Sequence, residues 1–175
     1  VTQRLISALS APTAEGVLYE VDMRLRPSGN KGPVATRIST FVKYQREEAW
    51  TWEHLALSRS RLVCGDETLM TDARRIIESV LSQKRDVAKI AADVQEMRKL
   101  IDGEKPPFNI WDFKLIPGGL VDLEFIAQYL TLVAPTKGWP THQPGESTSD
   151  VLKRIAPAAL DPQAQDDCIE AMRIF

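Results

Sequence analysis

The clearest pattern along the chain is a near-regular alternation of apolar and polar residues over positions 17–26. The apolar set is Val17, Tyr19, Val21, Met23 and Leu25. The interleaved set is Leu18, Glu20, Asp22, Arg24 and Arg26. A period of two places successive side chains on opposite faces of a strand. The pattern therefore predicts a strand with one apolar face, which ends at Pro27 and leads into a loop containing Gly29 and Gly32.

Most of the remaining chain has apolar residues at intervals of three and four, which is typical of helices. This spacing predicts helices over residues 2–9, 35–63, 69–83, 86–101, 120–133, 149–155 and 162–175. Residues 109–116 are predicted to be extended, and the proline-rich residues 135–146 to form a loop. Apolar residues surround most of the helix at 120–133, as expected for the central helix of a bundle. The predicted fold class is mainly α, with a small α+β part before a helical bundle.

Composition and charge exclude several classes of protein. The 175 residues carry a formal net charge of −2, whereas a nucleic-acid binder usually has a basic stripe. No apolar run is long enough for a membrane span, and no signal peptide is recognisable. Cys64 and Cys168 indicate free thiols in a reducing compartment, and His54 and His142 are too few for a zinc cluster. We therefore expect a cytoplasmic protein with no nucleic-acid or membrane partner.

The polar face of the predicted strand has the chemistry of a polyphosphate site. Its carboxylates, Glu20 and Asp22, are the kind of ligand that Mg²⁺ prefers. Arg24 and Arg26 could bind phosphate oxygens in two-point geometry, and the glycines that follow would let backbone amides approach a phosphate. A solvated strand face with cross-strand ion pairs would give the same pattern.

Three longer blocks of sequence carry a family resemblance. They are EVDMRLRPSGNKGP at 20–33, YQREEAWTWEHLALSRSR at 44–61 and DFKLIPGGLVDLEFIAQYL at 112–130. In this order and spacing they resemble the glutamine synthetase adenylyltransferase family. The resemblance implies a nucleotidyltransferase domain of the polymerase-β type, in which three acidic residues bind two Mg²⁺ ions that hold ATP.

The resemblance also implies roles for individual residues. The third acid of the metal site falls on Asp22, which is then both the catalytic residue and a metal ligand. Nucleotide contacts are expected from Arg24, Arg26, Ser28, Gly29, Arg59 and Arg61. In the block at 44–61, the tryptophans are expected to be core anchors and His54 a structural residue, and Asp122 and Glu124 are interpreted as structural or docking residues.

The chain departs from the family pattern in its first residues. The glycine-rich loop and the Asp-x-Asp pair of the family should precede Asp22, and residues 1–16 contain neither. We therefore expect residues 1–34 to be the C-terminal remnant of a catalytic domain, and residues 35–175 to be a helical bundle like the family's substrate-binding domain. A chain that begins at Val1 and lacks two acids is expected to be an inactive fragment.

The resemblance implies that the parent enzyme transfers AMP from ATP to a tyrosine of glutamine synthetase, under the control of a nitrogen-regulatory signalling protein. Family members have an adenylyl-removing half and a C-terminal adenylyl-adding half. The blocks EAWTWEHLALSRSR and GGLVDLEF are nearer the adding half, because Val121 and Asp122 stand where the removing half has Arg-Glu. Two alternatives stay open: a related nucleotidyltransferase, such as a regulatory-protein uridylyltransferase, and a non-catalytic helical docking module.

Overall fold

The computed structural model describes residues 2–17, 19 and 21–174 of the chain. These residues form two compact units, one reaching to Ala49 and the other beginning at Trp50. We call them the first unit and the second unit. Within the described residues there are eight α-helices and one two-stranded sheet, so the mainly α fold class is confirmed. The domain boundary between residues 34 and 35 stays a prediction about the parent enzyme.

The first unit contains two helices and a very short hairpin. Its elements in chain order are α1 Thr2–Ser10, β1 Pro12–Thr13, β2 Gly16–Val17, a 3-10 helix at Gly29–Lys31, and α2 Ile38–Glu47. The hairpin closes through Thr13, whose Oγ1 donates to the Gly16 carbonyl oxygen at 2.7 Å. Gly16 has a φ of +106°, which a residue with a side chain rarely adopts.

The strand predicted over residues 17–26 is contradicted, because β2 ends at Val17. Among the described residues, position 19 and positions 21–26 have no partner strand. Alternation of apolar and polar residues produces a strand only where a neighbouring strand supplies backbone hydrogen bonds. Here the Tyr19 N–H donates to the Leu9 carbonyl of α1 at 3.2 Å. Leu18 and Glu20, two residues of the predicted strand, lie outside the described residues.

The second unit is a bundle of six helices. They are α3 Thr51–Leu57, α4 Glu67–Leu81, α5 Val87–Glu104, α6 Leu120–Lys137, α7 Thr148–Ala159 and α8 Pro162–Ile174. α6 contacts α3, α5, α7 and α8, so the prediction of a central helix at this position is confirmed. Its buried residues are Val121, Leu123, Ala127, Leu130, Thr131, Leu132, Val133 and Ala134.

Local sequence explains where several of these helices begin. The Asp66 carboxylate accepts hydrogen bonds from the backbone N–H groups of Thr68 and Leu69 at the start of α4. Asp86 caps α5 in the same way, through two backbone N–H groups. Ser147 and Asp150 form a reciprocal capping box at the start of α7. Each cap satisfies backbone donors that have no partner inside the helix.

Four details of the sequence prediction are corrected by the structure. The helical segment predicted over residues 35–63 is interrupted between α2 and α3, where the Trp50 N–H donates to the Glu53 carboxylate at 2.9 Å. Trp50 is 72% exposed and is not a core anchor. Residues 109–116 form consecutive turns instead of an extended segment. α6 continues through Pro135 to Lys137, because a proline in the last turn removes only one helical hydrogen bond.

No helix among the described residues combines the length and the apolar character needed to cross a bilayer.

Candidate functional site

Asp22 and Arg24 form an ion pair in the extended segment of the first unit. Arg24 Nη2 lies 2.7 Å from Asp22 Oδ2, and Arg24 Nε lies 3.0 Å from each carboxylate oxygen. The backbone N–H of Arg24 also donates to Oδ1, at 2.9 Å. The hydrogen bonds that Arg24 donates to Asp22, followed by the Asp22 charge, raise the pKa of the Arg24 guanidinium. The two side chains that the sequence interpretation assigned to metal and phosphate are therefore brought together.

The ion pair leaves Asp22 accessible as a ligand. The side chains of Arg24 and Asp22 are 71% and 55% exposed, and such a surface pair contributes little to stability. In the described part of the chain, no three His, Cys, Asp or Glu side chains come together as metal ligands. A magnesium site needs several oxygen ligands. These residues therefore do not fit a complete magnesium site, and Asp22 offers one carboxylate to it.

Arg26 is used within its own loop. Its Nη1 donates to the Met23 carbonyl, and its Nε lies 3.5 Å from the Gly32 carbonyl oxygen. The Arg26 carbonyl in turn accepts from the Gly29 N–H at 2.8 Å. The guanidinium thus connects the two ends of the loop and is less available to a phosphate than that of Arg24.

Ser28 and Gly29 lie at the turn of this loop in left-handed backbone conformations. Ser28 has a φ of +61°, and it is the one described non-glycine residue with a positive φ. Gly29 follows with a φ of +52°. Strained backbone of this kind clusters at ligand-binding turns, although tight turns also produce it. The exposed Ser28 hydroxyl has no hydrogen-bond partner in the described residues and is free to donate to a ligand.

Arg59 and Arg61 belong to the second unit, in the segment that follows α3. Arg59 Nη1 lies 2.9 Å from Glu124 Oε1 on α6, so this guanidinium is already neutralised. Arg61 is exposed and has no ion pair or hydrogen bond in the described chain. Of the two arginines predicted to contact nucleotide, Arg61 is the one with an available charge.

Arg61 lies between two adjoining clefts of the second unit. The smaller, of about 150 Å³, is called the polar cleft, and its lining residues are Ser60, Arg61, Leu62, Arg74, Ile77, Glu78, His142, Pro144 and Gly145. The other is open, with a volume of about 560 Å³, and is lined by Arg59, Arg61, Gly145, Glu146, Ser147, Thr148, Ser149 and Met172. Both clefts place Arg61 against the loop that precedes α7.

The sequence interpretation missed His142 in the polar cleft. Its Nε2 lies 3.1 Å from the Ser58 carbonyl oxygen, 84 residues away in sequence. Burial, more than any neighbouring charge, lowers the pKa of His142. The loop that carries it is fixed by Arg154 of α7, whose Nε and Nη2 each lie 2.5 Å from a Glu146 carboxylate oxygen. No local pattern could have indicated a contact over that separation.

Comparison with known proteins identifies the family. The chain is 70% identical over 175 residues to the bifunctional glutamine synthetase adenylyltransferase/adenylyl-removing enzyme of Agrobacterium fabrum, covering 100% of this chain and 18% of that protein. The enzyme of the same name from Rhizobium meliloti is 63% identical over 175 residues, with the same coverage. That of Bartonella quintana is 42% identical over 174 residues, covering 99% of this chain and 18% of that protein. The chain belongs to the glutamine synthetase adenylyltransferase family.

The family described as glutamate-ammonia ligase adenylyltransferase matches residues 1–76. This range includes every residue that the sequence interpretation assigned to metal or nucleotide, and it also includes Ser60 and Arg74 of the polar cleft. His142 lies beyond it. The chain spans 18% of the length of the first glutamine synthetase adenylyltransferase relative above, so it corresponds to a segment of a much longer enzyme.

Proposed function

We propose that this chain is part of the adenylyl-adding half of an enzyme that transfers AMP from ATP to a tyrosine of glutamine synthetase. The observation that carries the proposal is the 70% identity over all 175 residues to a relative named bifunctional glutamine synthetase adenylyltransferase/adenylyl-removing enzyme. The partners in this proposal are glutamine synthetase and a nitrogen-regulatory signalling protein, and the compartment is the cytoplasm.

The arrangement of Asp22 and Arg24 supports a role in handling the nucleotide. An exposed carboxylate and an exposed guanidinium lie within 3.0 Å of each other on a segment without a partner strand. A triphosphate and its metal need both kinds of group at one place. In this proposal Arg24 and the Ser28 hydroxyl bind phosphate oxygens, and Arg26 and Gly29 shape the loop. Arg61 of the second unit stays a predicted nucleotide contact, whereas Arg59 is paired with Glu124.

The exposed apolar side chains of the first unit support a larger catalytic domain of the polymerase-β type. Val17, Tyr19 and Leu25 are 55%, 62% and 68% exposed. Exposed apolar side chains of this size along one segment indicate a surface that another part of the protein covers. We propose that residues 1–34 belong to such a domain in the parent enzyme, where other parts of that domain cover these apolar side chains.

The reaction is an in-line displacement at phosphorus. The tyrosine oxygen forms a bond to the α-phosphorus of ATP, the bond from that phosphorus to the pyrophosphate oxygen breaks, and the hydroxyl proton leaves to water or a base. When bound, Mg²⁺ supplies charge stabilisation to the phosphate oxygens. The contribution of this chain is to position groups. Asp22 supplies one carboxylate to the metal, and the positive charge of Arg24 holds a phosphate oxygen in place.

A labelled-nucleotide assay on the full-length parent enzyme tests the function. With purified glutamine synthetase, we expect label from α-labelled ATP to appear on a synthetase tyrosine, and UTP to give no transfer. The isolated 175-residue chain should transfer nothing, because the described residues do not form a complete metal site. Transfer from UTP instead of ATP would favour the uridylyltransferase alternative, and robust transfer by the isolated chain would show that the active site is misplaced.

A non-catalytic docking role is the second candidate for the isolated chain. Phe108, Ile110 and Trp111, in the turns before α6, are 91%, 75% and 69% exposed. Adjacent apolar side chains with this exposure are typical of protein-binding surfaces. Binding of glutamine synthetase to the isolated chain without nucleotide transfer, abolished by Trp111→Ser, would favour this role.

A further inference from the structure

The polar cleft collects charged and hydrogen-bonding groups from three separate parts of the second unit. Ser60 and Arg61 follow α3, Arg74 lies on α4, and His142 lies in the loop before α7. None of these groups is needed for the transfer reaction except, in the proposal above, Arg61. The proposed transfer reaction therefore does not explain why these groups meet in one cleft.

Several polar atoms of this cleft have no partner among the described residues. Arg61 and Arg74 make no ion pair or hydrogen bond in the described chain. Ser60 Oγ and His142 Nδ1 are both buried without a hydrogen-bond partner. Buried polar atoms without a partner are rare and costly, and in native proteins they commonly mark a place where something binds.

Neighbouring arginines of the same unit show the contrast. Arg59 is paired with Glu124 at 2.9 Å, and Arg75, which follows Arg74 on α4, lies 3.9 Å from Asp72. Arg154 is held by Glu146. Each of these guanidiniums has a carboxylate close by, whereas the two guanidiniums that line the polar cleft have none within ion-pair distance.

We propose that the polar cleft binds a small tetrahedral oxyanion, of the sulfate and phosphate class, between Arg61 and Arg74, with Ser60 as a hydroxyl donor. Two guanidiniums face a single lining carboxylate, that of Glu78, so the cleft favours an anion. Its volume of about 150 Å³ is well below the roughly 300 Å³ at which pockets for drug-sized ligands begin. It can therefore enclose an oxyanion or one phosphate group, and it is too small for a whole nucleotide.

His142 makes this binding depend on protons. The Ser58 carbonyl can only accept, so His142 Nε2 carries the hydrogen and the neutral ring presents Nδ1 as an acceptor. An anion held by Arg61, Arg74 and Ser60 gains a fourth donor, His142, only when Nδ1 is protonated. The charges that act on the ring are Glu146 and Glu78, which favour protonation, and Arg154, which opposes it, with Arg61 and Arg74 also lining the cleft. A bound anion shifts this balance toward the charged ring, so affinity should rise as pH falls.

The test is a sulfate titration of the 175-residue chain followed by NMR. Sulfate keeps its charge over the range in which histidine titrates, so changes in affinity with pH come from the protein. We expect sulfate to shift the resonances of residues 60–62, Arg74 and His142 before others. Arg74→Gln should weaken binding about tenfold, the loss expected for one charge-assisted contact. Arg75→Gln, the matched control, should leave the affinity within about twofold.

Two further arms complete the test. Lowering the pH should strengthen sulfate binding in the parent chain and change it little in His142→Gln, which retains a donor toward Ser58. If ATP shifts the same resonances, and Arg74→Gln also weakens ATP binding, the oxyanion is a nucleotide phosphate and the site is equally supported. Shifts spread over the surface, or equal weakening by Arg75→Gln and Arg74→Gln, would overturn the proposal. The titration measures no AMP transfer, so its failure leaves the proposed function untouched.

Discussion

At the scale of single residues, the chemistry of this chain depends on which charges are paired and which are free. Asp22 and Arg24 neutralise each other at an exposed position where a ligand can separate them. Arg98, in contrast, is largely buried and is held by Asp122, by Asp102 and by the Leu115 carbonyl at 3.0 Å. Exposed pairs exchange partners at little cost, whereas a buried pair is expensive to break. In the proposed function Asp22 and Arg24 act on the nucleotide, whereas the Arg98 ion pair with Asp122 holds α5 against α6.

The stability of the second unit should depend on pH through His142. Burial lowers its pKa in the folded chain below the ordinary value of 6.5. Below pH 6.5 the unfolded chain therefore binds a proton at His142 more readily than the folded chain does. The stabilisation from the neutral, buried His142 is complete above pH 6.5 and is lost as the pH falls below it. His142→Gln should make the free energy of unfolding less dependent on pH between about pH 7.5 and pH 5.5. Urea unfolding at both pH values measures this change, and an identical dependence in the variant would contradict it.

Sequence reasoning predicted that Asp22 and Arg24 lie together, and it missed the polar cleft. Asp22 and Arg24 are two positions apart, so a local pattern with a family resemblance was enough to pair them. Ser60, Arg74 and His142 are brought together by the packing of the bundle, over as many as 84 residues between Ser58 and His142. A single sequence carries no signal for contacts of that kind.

At the scale of elements, the turn before α6 is held by several close contacts. The Gly118 N–H donates to the Asp122 carboxylate at 2.6 Å, and Gly118 has a φ of +79°. Gly119 begins the helix so close to the preceding chain that an added Cβ would lie 2.5 Å from the Phe113 carbonyl oxygen. The turn fixes α6 against α5 through the ion pair of Asp122 with Arg98.

Replacing Gly119 should therefore destabilise the fold, and a glycine on α5 provides the control. Gly119→Ala is expected to cost about 1–3 kcal/mol, because backbone atoms must move to admit the methyl group. Gly103 lies in the last turn of α5 with nothing within 4 Å of an added Cβ. Gly103→Ala should leave stability unchanged or raise it by at most about 1 kcal/mol. Chemical denaturation compares the two, and equal effects would mean that the close contact at Gly119 is unimportant.

The positions of the helices could be predicted from the sequence, whereas the predicted strand was wrong. The helices could be placed, because their caps and apolar stripes are local and one central helix is apolar almost all round. The strand at 17–26 could not, because its hydrogen bonds need a neighbour that the described residues do not supply. The turns at 109–116 were misjudged for a local reason: the Asn109 side chain accepts from the Trp111 N–H at 2.8 Å and reverses the chain.

At the scale of the whole molecule, the two units differ in how far their apolar side chains are buried. The second unit has a continuous core around α6, with buried residues from α7 packed against it. The first unit has a sheet of two residues per strand and several exposed apolar side chains. The chain spans 18% of the length of a relative with 70% identity, and the proposal above assigns the first unit to a larger catalytic domain.

The measurement that tests this account most directly is AMP transfer to glutamine synthetase by the full-length parent enzyme carrying Asp22→Asn. The substitution keeps the shape of the side chain and removes its charge, so turnover should fall about a hundredfold or more, with circular dichroism unchanged. Asp72→Asn, at an acid of α4 that lies 3.9 Å from Arg75, is the control and should leave turnover unchanged. Glu20→Gln should have a smaller effect than Asp22→Asn. Near-normal turnover by Asp22→Asn would contradict the assignment of Asp22 to the catalytic site.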